Sequence, residues 1–186
     1  DNVVFTDEVS IQIGDVLGKA WVKNDTTPIL EKNKYSDKVM FWSAISVTGR
    51  SALVPISGTL NSVRYVEMLQ SHFIPESTQN HGNNFIFQQD NAPPHTAKHS
   101  KAFFASSGMQ ILRWPANSPD LNPIENIWAI LKYNVGRRLP RDKDQLISFA
   151  IEEWNNIPQE IFVRTIGSMP NRCEQVIGRS GKKCDY

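Results

Sequence analysis

Hydrophobic and polar positions change their spacing along this chain of 186 residues. In its first third, apolar residues form short stretches rich in β-branched and aromatic side chains, which predicts β-strands. Residues 3–13 predict one strand, and a turn into a second strand inside this stretch is left open. Residues 39–47 and 51–57 predict a hairpin, because a short polar turn separates them. The polar residues 19–38 predict a long excursion between these strands.

From residue 62 onwards, apolar residues at helical spacing alternate with further short apolar stretches. Val63, Val66, Leu69 and Phe73 predict one face of an amphipathic helix over 62–76. The next predicted elements are a strand over 84–90, a helix over 96–108 that Gly108 ends, and a strand over 109–115. Beyond them the pattern is helical. This order predicts an α/β fold, in which α-helices flank a mixed β-sheet and a helical C-terminal extension follows.

The helix that begins near Pro123 has a distinctive first turn. Asn122 as the cap, Pro123 at the first position and Glu125 at the third match a capping box. In that arrangement the Glu125 carboxylate accepts a hydrogen bond from the backbone N–H of the cap. Glu125 therefore has a structural interpretation besides any chemical one. The apolar stripe of this helix consists of Ile124, Ile127, Trp128, Leu131 and Val135.

Composition narrows the class of protein. Hydrophobic residues make up 40% and charged residues 21% of the chain, which predicts a globular protein with one domain, or one plus a small extension. No apolar run reaches the ~18 residues of a membrane span, and no secretory signal is visible, so we expect a soluble protein. Two cysteines make neither a disulfide framework nor a four-ligand zinc site, which favours a reducing, intracellular environment. A net charge of +1 is low for a free-standing nucleic-acid binder, without excluding a nuclease.

Three carboxylates occupy positions where an α/β sheet gathers functional groups. Asp7 ends one apolar strand segment, Asp90 ends another, and Glu125 opens the helix after the next strand. Strand ends and helix starts meet along one rim of such a sheet. Carboxylates that meet there repel one another unless a positive charge joins them. Oxygen ligands favour Mg²⁺ or Mn²⁺, and two such ions can activate a nucleophile and stabilise a leaving oxygen in phosphodiester cleavage.

Each acid also has an ordinary structural interpretation. Asp7 can be a strand-end residue, and Asp90 can open an Asx turn into the proline loop that follows it. Glu125 can be the cap partner alone. Residue type and position leave both interpretations open for each acid.

The sequences around the three acids resemble the motifs of one family. They are FTDE around Asp7, FQQDNAPPHTA around Asp90 and SPDLNPIENIWAILK around Glu125. Thirty-four residues, positions 91 to 124, separate the last two acids. In order, local sequence and spacing, the motifs resemble the Asp-Asp-Glu branch of the mariner-type superfamily of cut-and-paste DNA transposases. The resemblance spans residues 3–140 and is looser over 141–186.

This resemblance implies an RNase H-like catalytic core over residues 1–140 and a helical extension of the same domain over 141–186. Asp7, Asp90 and Glu125 then form a catalytic triad that binds two Mg²⁺ ions, for which Mn²⁺ can substitute. By this resemblance Asp7 bridges the ions, Asp90 holds one and Glu125 holds the other. Complete family members also carry N-terminal helix-turn-helix DNA-binding modules, which we expect to be absent from this chain.

The resemblance also implies a reaction and its partners. Water attacks a phosphodiester at a transposon end, and the released 3′-OH attacks target DNA, usually at a TA dinucleotide. We expect the protein to bind transposon-end DNA and target DNA, and to form a homodimer in the DNA complex but a monomer as the isolated domain. We also expect a nuclear location and no association with a membrane. Two alternatives stay open. One is another RNase H-like nuclease, which the spacing disfavours, and the other is a domesticated descendant that binds DNA or partners without cutting, which the intact triad disfavours.

Six further residues are candidates for contacts at the active site or with DNA. His95 matches a family position near the active site, where it could hold the loop, contact DNA or assist proton transfer. Lys132 lies nearly on the Glu125 face of its helix, and a solvated surface position is an equal alternative. The polar residues 19–38 resemble in position a family segment that reaches a second subunit. The other candidates are Asn91, Arg113, Arg137 and Arg138, and phosphate contacts from the basic cluster with Arg137 and Arg138 would be sequence-independent.

Overall fold

Six β-strands form the centre of the computed structural model, which describes residues 2–14, 37–81 and 84–184. In chain order they are β1 (Val3–Gln12), β2 (Lys38–Ser46), β3 (Gly49–Arg50), β4 (Val54–Ile56), β5 (Ile86–Gln88) and β6 (Gln110–Ile111). The sheet runs β3-β2-β1-β5-β6, and β4 also pairs with β2. Because β1 is antiparallel to β2 and parallel to β5, the sheet is mixed, as predicted.

Helices cover both faces of this sheet. In chain order they are α1 (Ser62–Met68), a π-helical turn (Leu69–Phe73), α2 (Ile74–His81), α3 (Pro93–Thr96), α4 (Lys98–Ser107), a 3₁₀ turn (Pro119–Leu121), α5 (Ile124–Arg137), α6 (Lys143–Asn156), α7 (Gln159–Gly167) and α8 (Met169–Gly178). Gly108 ends α4 in the left-handed region, with a φ of 69°. The predicted helices and the predicted fold class are confirmed.

Alternating side chains divide the core into two clusters. Phe41 of β2 packs into one cluster, whereas the next residue, Trp42, packs into the other. The first cluster joins Phe5 and Val9 to α5, α6 and α7, and the predicted stripe of α5 is buried in it. The second cluster joins Trp42 to α1, the π-helical turn and α4. Because successive strand residues face opposite sides, position along β1 decides which helices a side chain meets.

Polar contacts also hold α6 to the sheet. The indole N–H of Trp154 donates to the Ser51 carbonyl oxygen over 2.9 Å. The Arg50 guanidinium donates to the carbonyl oxygens of Asn155 and Ile157. Carbonyls at a helix end lack partners within the helix, so Arg50 satisfies groups that the end of α6 leaves open.

Four predicted strands differ in extent from the observed ones, and one of them is the strand predicted over 84–90, which is observed as the shorter β5. β1 runs unbroken to Gln12, so no second strand begins inside residues 3–13. In the hairpin, the Ala44 N–H donates to the Ser51 hydroxyl over 2.9 Å, and the second arm is divided into β3 and β4 at this point. β6 is two residues long instead of spanning 109–115, because its partner β5 has only three residues to pair with.

The helical stretch after residue 62 is longer than its pattern predicts, because α1, the π-helical turn and α2 follow one another without a break. Val66, Leu69 and Phe73 are buried as predicted, whereas Val63 is 48% exposed, so its predicted place in the core is wrong. Val63 lies in the first turn of α1, and Tyr65, which is fully buried, faces the core there instead.

The predicted excursion over residues 19–38 lies outside the described residues, except for its last two positions, where β2 begins. Of the helices in the described ranges, none is long and apolar enough to cross a membrane.

Candidate active site

The three predicted acids line one open cleft. Asp7, Asp90 and Glu125 border a cavity of about 400 Å³, together with residues of the loop before α5. Asn91 lines the cavity as well, and its side-chain amide donates to the Trp114 carbonyl oxygen over 3.1 Å. This hydrogen bond joins the loop after β5 to the loop before α5, and both loops line the cavity. Acids from three separate segments therefore meet at one place, as the order of elements predicts.

Asp7 lies in the middle of β1, so the prediction that it ends a strand segment is wrong. On one side it pairs with Ser43 of β2. On the other side the parallel ladder with β5 stops at the pair formed by Phe5 and Gln88. Asp7 therefore lies just beyond the end of β5, where β1 has an open flank that borders the cleft.

Asp90 lies two residues beyond β5 and forms the predicted Asx turn. Its Oδ1 accepts a hydrogen bond from the Ala92 backbone N–H over 2.8 Å. The same oxygen lies 2.6 Å from Nδ1 of His95. These contacts orient the carboxylate while about half of the side chain, 51%, stays exposed to the cleft.

Glu125 opens α5 but does not complete the predicted capping box. The Asn122 backbone N–H donates to the Pro119 carbonyl oxygen over 3.0 Å, at the end of the 3₁₀ turn. Asn122 keeps its own part of the cap, since its Oδ1 accepts a long, 3.5 Å hydrogen bond from the Ile124 N–H. The 3₁₀ turn thus satisfies the N–H that Glu125 is predicted to reach, and the Glu125 side chain borders the cleft instead.

Burial and neighbouring charge hold Asp7 in its protonated form. Burial is the largest cause, and the charges of Glu125, Glu8 and Asp90 add to it, so that the pKa of Asp7 rises from 3.8 to about 8. The Glu8 backbone N–H donates to Asp7 Oδ1 over 2.8 Å and opposes this rise only in part. A carboxylate confined in this way attracts a cation, because a positive charge removes the repulsion.

A histidine supplies positive charge on the other side of β1. His95 Nε2 lies 3.3 Å from Oε1 of Glu8, and His95 Nδ1 lies 2.6 Å from Oδ1 of Asp90. Burial lowers the pKa of His95, but the two hydrogen bonds and the two negative charges outweigh burial and raise it from 6.5 to about 9. The hydrogen bond from His95 is also the main reason that the pKa of Asp90 is lowered, although partial burial opposes it. An imidazolium therefore bridges two carboxylates.

Tyr65 supports this imidazolium from the core. Its ring centroid lies 4.2 Å from that of His95, with the two planes tilted by 36°. The Tyr65 hydroxyl donates to Gln89 Oε1 over 2.6 Å, and burial raises the pKa of the phenol. Tyr65 therefore stays a neutral hydrogen-bond donor, and its buried ring packs against the His95 ring from the core side.

The donor set of the cleft suits a hard divalent cation. Among the described residues, no group of three or more His, Cys, Asp or Glu side chains forms a ready-made metal centre. Mg²⁺ is commonly held by one or two carboxylates, with water and substrate phosphates as the remaining ligands. Carboxylates on different walls of one cleft fit this mode of binding, whereas a structural zinc site is built mainly from Cys and His.

The other predicted contact residues lie outside the walls of this cleft. Arg138 pairs with Glu152 at 2.6 Å, and its guanidinium lies 3.8 Å from the ring centroid of Phe149. Arg137 lies 5.8 Å from the ring centroid of Tyr133. Arg113 and Arg137 are exposed and Lys132 is half-buried, so these three are accessible from the surface.

A buried arginine joins α8 to the segment before α5. Arg172 donates from Nη1 to the Asp120 carbonyl oxygen over 2.9 Å and from Nη2 to Asn126 Oδ1 over 2.6 Å. Its Nε donates to Ser168 Oγ over 2.8 Å. The Asp120 carboxylate in turn accepts from the Cys184 backbone N–H over 2.9 Å. The first turn of α5 is therefore fixed from the C-terminal side of the chain.

Sequence reasoning missed Glu8, Tyr65 and Arg172. Glu8 carries a usable signal, because two consecutive acids in a strand face opposite sides of the sheet. Tyr65 lies in an amphipathic pattern that predicts burial and nothing more specific. Arg172 carries no local signal, since the partners of its Nη atoms lie 46 and 52 residues away in the chain.

Comparison with known proteins identifies the family of this chain. A family described as DDE superfamily endonuclease matches residues 2–147. The chain is 30% identical over 195 residues to the Tc1 transposase of Caenorhabditis elegans and 31% identical over 192 residues to the Tcb2 transposase of Caenorhabditis briggsae. These alignments cover 98% and 100% of this chain and 70% of each relative.

The fold has solved counterparts. A Mos1 transposase paired-end complex with the left transposon end matches 99% of this chain and 56% of its own, with a TM-score of 0.85 and 22% identity. The crystal structure of the catalytic domain of Mos1 mariner transposase matches with a TM-score of 0.68 and 23% identity, over 84% of its length. The chain belongs to the DDE superfamily of endonucleases, as a transposase catalytic domain of the Tc1/mariner type with an RNase H-like fold.

Proposed function

We propose that this domain cuts DNA at transposon ends and joins the released 3′ ends to target DNA, with Asp7, Asp90 and Glu125 as its catalytic and metal-binding triad. The observation that carries the proposal is the buried, charge-crowded Asp7, which borders the same cleft as the other two acids. A carboxylate in this setting gains most from a divalent cation. The similarity to the Tc1 and Tcb2 transposases supports the same activity.

Each acid has a proposed role in metal binding. Asp7, Asp90 and Glu125 would hold two Mg²⁺ ions, with Asp7 shared by both, Asp90 assigned to one and Glu125 to the other. When bound, such ions lower the pKa of an attacking water and stabilise the leaving oxygen. We expect Mn²⁺ to substitute for Mg²⁺, and Mos1 paired-end complexes solved with Mg and with Mn support the use of either ion.

His95 has a positioning role in this proposal. Its imidazolium holds the Asp90 carboxylate, and Glu8 anchors the second ring nitrogen. With both nitrogens paired and the pKa raised to about 9, His95 keeps its proton at neutral pH. Of the three roles that the sequence leaves open for His95, holding the loop is therefore the one we propose.

Transposon-end DNA and target DNA are the proposed partners. A Mos1 paired-end complex with a transposon end and a Mos1 strand transfer complex are among the structures with this fold, which supports DNA binding. Asn91, Arg113, Lys132 and Arg137 are the proposed DNA contacts, whereas the ion pair of Arg138 with Glu152 leaves it less available. We further propose TA target sites, a homodimer on DNA and a nuclear location.

Plasmid nicking tests the cleavage step with the chain as it stands. The parent, Asp90→Asn and Asp142→Asn are each incubated with supercoiled plasmid in Mg²⁺, in Mn²⁺ and in EDTA. Asn at position 90 can keep the Asx turn, so Asp90→Asn changes the charge with little change in the fold. Asp142 caps α6 through Gln145, and Asn caps equally well, which makes Asp142→Asn a matched control.

We expect metal-dependent nicking by the parent and by Asp142→Asn, and none by Asp90→Asn, while a gel-shift assay shows equal DNA binding by all three. Nicking by Asp90→Asn at the parental rate would contradict the proposed triad. DNA binding by the parent without any metal-dependent nicking would favour a descendant that binds DNA without cutting it. For strand transfer, sequenced junctions made with a pre-cut transposon end should lie at TA.

A further inference from the structure

Three buried polar side chains, one from each acid-bearing segment, form a connected group beside the cleft. They are Thr6, Gln88 and Asn122, and each lies within three residues of one of the three acids in the sequence. Their exposed fractions are 2%, 0% and 4%. Hydrogen bonds join the three directly, and we call them the Thr6–Gln88–Asn122 cluster.

Thr6 is the centre of this cluster. Its backbone N–H donates to Gln88 Oε1 over 3.2 Å, and its hydroxyl donates to the Gln88 carbonyl oxygen over 2.8 Å. Its own carbonyl oxygen accepts a hydrogen bond from Asn122 Nδ2 over 3.3 Å. Because the Thr6 N–H is a donor, it fixes the orientation of the Gln88 amide, with the oxygen toward Thr6.

The cluster replaces the pairing of β1 with β5 at the point where the two chain segments diverge toward Asp7 and Asp90. The β1–β5 ladder ends at the pair formed by Phe5 and Gln88, one residue before Thr6. Beyond it, side chains of Gln88 and Asn122 take both polar backbone groups of Thr6, which a further strand residue would otherwise occupy. β1 and the chain after β5 therefore diverge while the N–H and the carbonyl oxygen of Thr6 both keep hydrogen-bond partners.

The cluster also reaches α5. Asn122 connects β1 to the helix start, since its Nδ2 bonds to Thr6 while its Oδ1 accepts the Ile124 N–H over 3.5 Å. One side chain thus ties the segment of Asp7 to the segment of Glu125, and Gln88 ties the segment of Asp7 to that of Asp90. Beyond the pair formed by Phe5 and Gln88, no strand pairing joins the chain segments that carry the three acids.

We propose that the Thr6–Gln88–Asn122 cluster is a positioning device that sets the separation of the three acids for divalent-metal binding. The inference rests on the proposed function, because it assigns the cluster a role in that metal site. Partners behind metal ligands fix the ligands' orientation, and their loss commonly weakens metal binding by about 10–100-fold. A cluster with only a structural role would change stability and leave metal affinity unchanged.

Metal titration of four variants separates these roles. Thr6→Val removes the hydroxyl donor at constant shape, and Thr6→Ser restores it. Asn122→Ser keeps a cap oxygen for α5 but cannot reach the Thr6 carbonyl. Ser46→Ala is the matched control, because Ser46 is 3% exposed and its hydroxyl bonds to Thr48 and Gly49, beyond the C-terminal end of β2 and outside the cluster.

The readouts are the Mn²⁺ dissociation constant by calorimetry, the Mn²⁺ dependence of plasmid nicking, and the melting temperature in EDTA. We expect Mn²⁺ binding to weaken about tenfold in Thr6→Val and in Asn122→Ser, and to stay within about twofold of the parent in Thr6→Ser and Ser46→Ala. Higher Mn²⁺ concentrations should recover nicking in the first two variants. Circular dichroism checks folding, and Asn122→Ser decides the test if Thr6→Val does not fold.

Two negative results are distinguishable. Parental Mn²⁺ affinity in Thr6→Val and Asn122→Ser, with melting temperatures lowered as in Ser46→Ala, would overturn the positioning role and leave the metal site in place. Equal Mn²⁺ binding by the parent and Asp90→Asn would remove the metal site itself, and with it the proposed function and the role of the cluster.

Discussion

Asp7 and Glu8 are neighbours in β1, yet their carboxylates lie in opposite electrostatic surroundings. Glu8 meets the His95 imidazolium, which also contacts Asp90. Asp7 meets the negative charges of Glu125, Glu8 and Asp90, and its pKa rises to about 8. On the Glu8 face of β1, the His95 imidazolium therefore supplies a positive charge. Among the described residues, no cation has this role on the Asp7 face.

The difference shows how one strand can serve a structural site and a reactive site at once. Alternation of side chains separates the two acids by the width of the backbone, without any loop or insertion. The Glu8 side holds a permanent ion pair that orients Asp90. The Asp7 side keeps its repulsion, and in the proposed function an incoming metal ion relieves it.

The largest expected effect on DNA cleavage comes from removing an acid that faces Asp7, where no cation balances the negative charges. Glu125→Gln should lower DNA cleavage by at least about a thousandfold, because amides are poor ligands for Mg²⁺ and triad members act as a unit. The melting temperature in EDTA should stay at or above that of the parent, since the capping box is not formed and a repelling charge is lost. Plasmid nicking and differential scanning fluorimetry measure the two quantities. A variant that melts much earlier and still cuts would restore the capping interpretation of Glu125.

A smaller effect is expected from removing the internal cation. His95→Gln keeps a hydrogen-bonding side chain but loses the positive charge between Glu8 and Asp90. We expect cleavage to fall about 10–100-fold, because Asp90 loses the group that orients it. His99→Gln is the matched control, since His99 is exposed on the adjacent helix. Parental cleavage rates in both variants would show that the ion pair has no part in the reaction.

The smallest effect is a dependence of stability on pH without metal. The folded-state pKa of Asp7, about 8, exceeds its usual 3.8, so the folded state holds a proton that the unfolded state releases, and stability falls as pH rises from about 4 to 8. The folded-state pKa of His95, about 9, exceeds 6.5, so its stabilisation is complete below pH 6.5 and lost as pH rises through 9. We expect the melting temperature in EDTA to fall by roughly 10 °C or more between pH 6 and 9, because a domain of this size shifts by about 2–4 °C per kcal/mol.

Asp7→Asn isolates the first of these two contributions. The variant should lose less stability between pH 6 and 8 and should exceed the parent in melting temperature at pH 8. Adding Mn²⁺ at pH 8 should raise the melting temperature of the parent more than that of Asp7→Asn, because only the parent has the full site. A melting temperature that is constant from pH 6 to 9 in the parent would contradict the raised pKa values.

Local patterns predict the sheet, the helices and the meeting of the three acids, because these follow from periodicity and element order. The stripe of α5 and the Asx turn of Asp90 are confirmed for this reason. Contacts between distant segments are not predictable in this way. The capping box fails because the 3₁₀ turn before α5 supplies a nearer partner for Asn122, and the contact of Glu8 with His95 spans 87 residues of sequence.

Arg172 gives the order of synthesis a part in the assembly of the cleft. The ribosome synthesises Asp120 and Asn126 first. Arg172, whose guanidinium hydrogen-bonds to both, follows 52 and 46 residues later. Until then the start of α5, with Glu125 on it, lacks an anchor that the finished fold provides. The contacts that hold the start of α5 from the C-terminal side can therefore form only after α8 has been translated.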